Sequence, residues 1–176
     1  MNNSNYTYTK NLLINYEQTL KEMKRLALTY WQDLLIPNKF NFDFYNSTLL
    51  DVHKFLKDRL QYISDPDKLE HISRIKYSIA LANRGNFPLD CDDKTIILLA
   101  YLILQNYKFS NNPDKPFKIY ICVAGRNDKP HHVYPMADLP GVFTNLNLDS
   151  TYPQNDFGKP LFPEKFFRKY YLFTDL

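Results

Sequence analysis

Cys91, His131, His132 and Asp149 are the residues whose types and order could support nucleophilic catalysis. Cys91 stands in the run Leu89-Asp90-Cys91-Asp92-Asp93-Lys94-Thr95, just before an apolar stretch over 96–104. That pattern predicts a cysteine at the start of a buried helix. The thiolate is the reactive form of cysteine. A helix start favours negative charge, because its first N–H groups lack partners and the helix dipole is positive there. The dipole contributes about 0.3–1 kcal/mol, rising to about 2 kcal/mol in partly buried sites. That is about one pKa unit at best. Asp90, Asp92 and Asp93 oppose it, since like charge disfavours a thiolate. Asp92 and Asp93 are expected to turn away, toward the backbone donors of the first helical turn. A helix end alone therefore does not activate Cys91. It needs an imidazolium beside it, holding the thiolate as an ion pair.

His131 and His132 open a predicted strand. Consecutive strand residues face opposite sides, so only one of the two can face Cys91. Asp149 follows the next predicted strand, where a carboxylate can orient an imidazole and fix its tautomer. Spacing alone fits equally a cysteine near a helix cap, a solvated histidine pair and a turn-forming aspartate. Cys91, Asp92, Asp93, His131 and His132 are also metal-ligating types. They lack the paired-ligand spacing of a structural zinc site, so neither metal nor cofactor is expected. His53 and His71 occupy surface-like helical positions and carry no expected role.

Periodicity supplies the frame. Leu12, Leu13, Tyr16, Leu20, Met23, Ala27 and Trp31 recur at helical spacing and predict an amphipathic helix over 8–35, closed by Pro37. An aromatic loop follows. Ser47 or Thr48 then caps a second helix carrying Leu49, Val52, Phe55, Leu56 and Leu60. Ser64-Asp65-Pro66-Asp67 reads as a turn, 68–82 as a third helix and 92–107 as the buried fourth. The period then changes to two. Phe117, Ile119, Ile121 and Val123 alternate along one strand, 131–137 forms a second, and 142–148 a third. Pro135 should demote the second strand to an edge or bend it. Helices first and an antiparallel sheet afterwards predict an α+β fold. The aromatic, basic run Phe166-Phe167-Arg168-Lys169-Tyr170-Tyr171 fits a binding strip or a closing strand equally.

Bulk composition narrows the classes. The 176 residues fit one core, and 44% hydrophobic content marks a globular chain. A formal charge of +3, without a dense Lys/Arg stripe, gives no case for nucleic acid. No apolar stretch is long enough to span a bilayer, so no membrane partner is expected. Two cysteines in unlike contexts predict free thiols in a reducing compartment. The polar start Met1-Asn2-Asn3-Ser4-Asn5 does not read as a secretory signal.

Four motifs occur in order over about residues 50–155. They are Leu60-Gln61-Tyr62-Ile63-Ser64-Asp65-Pro66 with Glu70, the Asp90-Cys91-Asp92-Asp93-Lys94-Thr95 run, His132-Val133-Tyr134, and Leu148-Asp149-Ser150-Thr151. Together they resemble the transglutaminase-like superfamily, most closely its small bacterial and tailed-phage members. The resemblance implies a papain-like core over 48–155, with an N-terminal helix and aromatic loop over 1–47 and an aromatic basic extension over 156–176. It implies a catalytic triad of Cys91 as nucleophile, His132 rather than His131 as base, and Asp149 as the orienting carboxylate. The family generally has Gly before the Asp-Cys pair, where this chain has Leu89. The implied chemistry is attack on an amide of a protein or peptide substrate. Water as acceptor gives a peptidase or amidase, and an amine gives crosslinking. The alternative is a structural or interaction protein, such as a virion component, on the same scaffold. It would meet protein partners through the N-terminal helix and aromatic tail. The corresponding locations are a bacterial cytoplasm or a virion.

Overall fold

The computed structural model describes residues 16–65, 71–85, 87–110, 117–126, 129–159 and 167–176. Among them, helices precede a four-stranded antiparallel sheet, giving the expected α+β architecture. Helix α1 (Tyr16–Tyr30) buries Leu20, Met23, Leu26 and Ala27, the residues of its apolar stripe. It continues into a 3-10 helix (Trp31–Leu35) that stops before Pro37. Positions 8–15 of the predicted helix lie outside the described residues. Asp33 in the 3-10 helix receives a two-pronged contact from Arg74, at 2.8 and 2.7 Å. The Arg74 guanidinium also lies 4.1 Å from the Tyr30 ring centroid. This bidentate pair fastens the end of α1 to the third helix.

Helix α2 (Leu49–Arg59) begins at a reciprocal cap: the Thr48 hydroxyl accepts from Asp51 N–H, and the Asp51 carboxylate accepts from Thr48 N–H. Thr48 is thus the cap, and not Ser47. Helix α3 (Ile75–Leu81) is shorter than the predicted 68–82. Residues 71–74 carry no helix, because side-chain carboxylates take their backbone donors. His71 N–H donates to Asp65, and Ser73 N–H donates to Asp93 at 3.1 Å. Residues 68–70 lie outside the described set.

Helix α4 (Cys91–Lys108) is buried on nearly every face and forms the centre of the molecule, with α1 on one side and the sheet on the other. The sheet comprises β1 (Lys118–Arg126), β2 (Lys129–Leu139), β3 (Phe143–Asn147) and β4 (Phe167–Leu172), in the order β3-β2-β1-β4. The tail from Phe167 is thus a strand closing the sheet along β1.

Pro135 does not place β2 at an edge: β2 lies inside the sheet, with Pro135 opposite Ile121. The Pro135 carbonyl accepts from Leu148 N–H at 3.1 Å, so it faces β3. The N–H and C=O of one strand residue point the same way. The missing N–H therefore falls on the β3 side, just where β3 ends. The one bond Pro135 cannot make, to the Leu148 carbonyl, falls at the end of the β2–β3 ladder and not within it. No helix among the described residues is long and apolar enough to cross a membrane.

Candidate active site

Cys91 is the first residue of α4, and Asp90 caps the helix by accepting from Asp92 N–H at 3.0 Å. Leu89 just before it is buried and pairs with Ile63 in a short antiparallel bridge, with N–H···O distances of 3.0 and 3.1 Å. Its backbone is not left-handed, so the approach to the nucleophile is extended and asks for no glycine. The Leu89 side chain contributes to the core instead.

Strand alternation separates the two histidines. His131 is exposed and His132 is buried. His132 Nε2 lies 2.8 Å from Asp149 Oδ2, and both side chains are almost fully buried. A carboxylate accepts, so Nε2 carries the proton and Nδ1 is left as the basic nitrogen. The imidazole lies between two tyrosines, with centroids 5.5 Å from Tyr134 and 5.7 Å from Tyr152, the latter stacked.

Asp149 comes directly after Leu148, where the chain leaves β3. Its N–H donates to Asn147 Oδ1 at 2.9 Å, and Thr151 N–H donates to its Oδ1 at 3.1 Å. Burial alone would raise the Asp149 pKa. The hydrogen bond and charge of His132, with the Thr151 contacts, outweigh burial and hold it below the ordinary value. Two further groups fix this loop. His53 Nε2 donates to the Asp149 carbonyl at 2.9 Å, and Lys94 Nζ donates to the Ser150 and Thr151 carbonyls at 3.3 and 3.1 Å.

His53 is therefore not at a surface position; it is 1% exposed. Its signal was in the spacing. It stands four residues after Leu49, three before Leu56 and seven before Leu60, on the apolar face of α2. Replacing His53 with leucine keeps the volume and strands a buried carbonyl. We expect a loss of about 1–3 kcal/mol in urea denaturation. An unchanged midpoint would show that the bond contributes nothing.

Cys91 and His132 line one cleft of about 330 Å³, with Tyr16, Thr19 and Leu20 of α1 among its other walls. Thr95 Oγ1 donates to the Val133 carbonyl at 3.2 Å, tying the first turns of α4 to β2 beside His132. The structure thus brings together all three residues that the sequence assigned to the triad. It differs over Asp92. That carboxylate does not turn away: the Cys91 thiol donates to Asp92 Oδ1 at 3.7 Å. Burial, then the charges of Asp92 and Asp90, push the thiol well above its ordinary pKa, while Val133 N–H works the other way. These surroundings favour the thiol over the thiolate.

Asp93 points to the opposite side of the helix turn. It is fully buried and accepts from Ser73 N–H, Ser73 Oγ and Ser78 Oγ at 3.0–3.1 Å. Asp90, Cys91 and Asp92 each offer a ligand atom within 4.8 Å of the others. Helix capping and the thiol bond account for this cluster.

Tyr62 and Tyr152, which no spacing rule selected, complete the surroundings. Their ring centroids are 5.1 Å apart, and burial raises the pKa of both phenols. Tyr62 lies beside Ile63, the residue that pairs with Leu89. Tyr152 stacks on His132, so the pair links the strand leading to the nucleophile with the face of the base. No family model, curated protein or solved structure matches this chain.

Proposed function

We propose that the protein is a cysteine-dependent enzyme of amide chemistry, a peptidase, amidase or acyl transferase of the transglutaminase-like kind. The observation that supports this reading best is the buried His132–Asp149 bond at 2.8 Å, whose imidazole shares a cleft with Cys91. The site would work by general-base activation rather than from a preformed ion pair, because burial and the charges of Asp92 and Asp90 favour the protonated sulfur. As sulfur attacks the carbonyl carbon, its proton passes to His132 Nδ1. Asp149 stabilises the imidazolium through Nε2. The Cys91 N–H, in the first turn of α4 and without an intrahelical acceptor, offers one donor to the developing oxyanion. Such a donor contributes about 2.7–4 kcal/mol when well placed. The imidazolium then protonates the leaving amine as the C–N bond breaks, leaving a thioester on Cys91. Water or an amine attacks that thioester, His132 takes the proton of the incoming group, and the thiol is released.

Labelling tests this directly. Iodoacetamide followed by peptide mapping should modify Cys91 and spare Cys122, which is fully buried. A Cys91 rate no faster than that of a free thiol would remove the enzyme reading. The second reading, a structural or interaction protein on the same scaffold, would then take its place. The thiol bond to Asp92 and the elevated thiol pKa favour that alternative.

A further inference from the structure

Beside the Tyr62–Tyr152 pair lies a second cavity of about 530 Å³. The last residues of α2 supply Lys57, Asp58 and Arg59 to its wall, and Lys94 lines it from α4. Lys94 is 1% exposed. Its ammonium carries three N–H groups, and two of them donate to the Ser150 and Thr151 carbonyls. Among the described residues no carboxylate forms an ion pair with it. The nearest acidic wall residue, Asp58, lies 3.8 Å from Lys57 instead.

Buried charges are as a rule paired, because an unpaired one loses its hydration without compensation. Burial lowers the Lys94 pKa to about 8, with Asp149 and Asp58 acting the other way, so the group is still mostly charged at neutral pH. The cavity wall thus holds three cationic side chains against one carboxylate. A buried cation with a spare donor, facing a cavity of net positive charge, is complementary to an anionic group.

We propose that this cavity binds a carboxylate of the substrate, with Lys94 as its buried counter-ion and the exposed Arg59 at its mouth. The class of substrate is then an acidic peptide. Tyr62 and Tyr152 line this cavity, and Tyr152 stacks on His132, which connects the cavity to the His132 side of the Cys91 cleft. Only the word substrate rests on the amide-chemistry reading; the binding of a carboxylate does not.

The test is calorimetric titration of the full chain with three probes: N-acetyl-glutamate N-methylamide, its glutamine counterpart, and inorganic phosphate. The glutamate probe should saturate, and the glutamine probe should bind at least tenfold more weakly. Lys94→Met should weaken the glutamate probe at least tenfold, and Arg59→Gln severalfold. Arg59 is exposed, so that variant decides the matter if Lys94→Met does not fold. Equal binding of the glutamate and glutamine probes overturns the proposal. So does binding of phosphate without the glutamate probe, or an unchanged affinity in the folded variants. The titration reads binding alone. Glutamate binding together with an inert Cys91 would retain the site and remove its role in turnover. A reactive Cys91 without glutamate binding would do the reverse.

Discussion

Replacing His132 with glutamine should slow reaction at Cys91 by about 10²–10⁴-fold at pH 7, the usual contribution of a positioned general base. The size follows from the state of the thiol. Burial and the charges of Asp92 and Asp90 push its pKa well above the ordinary value, which favours the protonated sulfur at neutral pH. A site of that kind depends on proton removal during attack. Glutamine is the informative substitution because its amide can still donate to Asp149. Alanine would leave a buried carboxylate without its imidazole, at a cost of about 3–5 kcal/mol, and would confuse lost activity with lost structure. The measurement is the alkylation rate of Cys91 in parallel with urea denaturation. A folded variant that reacts as fast as the parent would show that His132 is not the base.

The second large effect concerns stability and lies outside the cleft. Burial raises the Asp93 pKa from 3.8 to about 7, against the opposing hydrogen bonds of Ser73 and Ser78. A carboxyl whose folded pKa is raised binds its proton more tightly in the folded chain. Its stabilising contribution is fully present below about pH 4 and is lost as pH rises through about 7. The loss amounts to about 4 kcal/mol across that window. Asp93→Asn cannot titrate, so it should remove this slope and leave a flatter stability profile between pH 4 and pH 8. The ordinary carboxylates and histidines contribute equally to both profiles and cancel in the difference. Denaturation midpoints of the two proteins over that range provide the check, and parallel profiles would sink the assignment. Asp93 acts here as a tie between α4 and the segment before α3.

The sequence made the elements with strong periodicity legible. The buried α4, the change to period two and a cap at Ser47 or Thr48 all follow from spacing and local chemistry, and the structure selects Thr48. So does the opposite facing of His131 and His132, since alternation is a property of the strand itself. What escaped was decided by distant partners. The late start of α3 depends on the carboxylates of Asp65 and Asp93, which capture backbone donors that a helix would have used. The interior place of β2 depends on β3 pairing along its free side, and no local pattern around Pro135 contains that. At the site, the orientation of Asp92 toward the thiol escaped because the first turn of a helix offers a carboxylate several acceptor roles. Tyr62, Tyr152 and Lys94 escaped because their importance lies in what they touch. His53 is the exception: its position on the apolar stripe of α2 was readable.

Pro135 acts as a stop for its neighbour. The Pro135 carbonyl takes Leu148 N–H, and Pro135 has no N–H to return to the Leu148 carbonyl. Leu148 is buried in the core, and the next residue, Asp149, turns toward His132. The place of the Asp149 carboxylate is set by the length of β3. Deleting one residue from 143–147 would move Asp149 into the place of Leu148 and turn the alternate faces of β3 over. Substitutions that keep this length should leave the triad in register, whereas insertions or deletions of one residue should dismantle it without altering any of its three members.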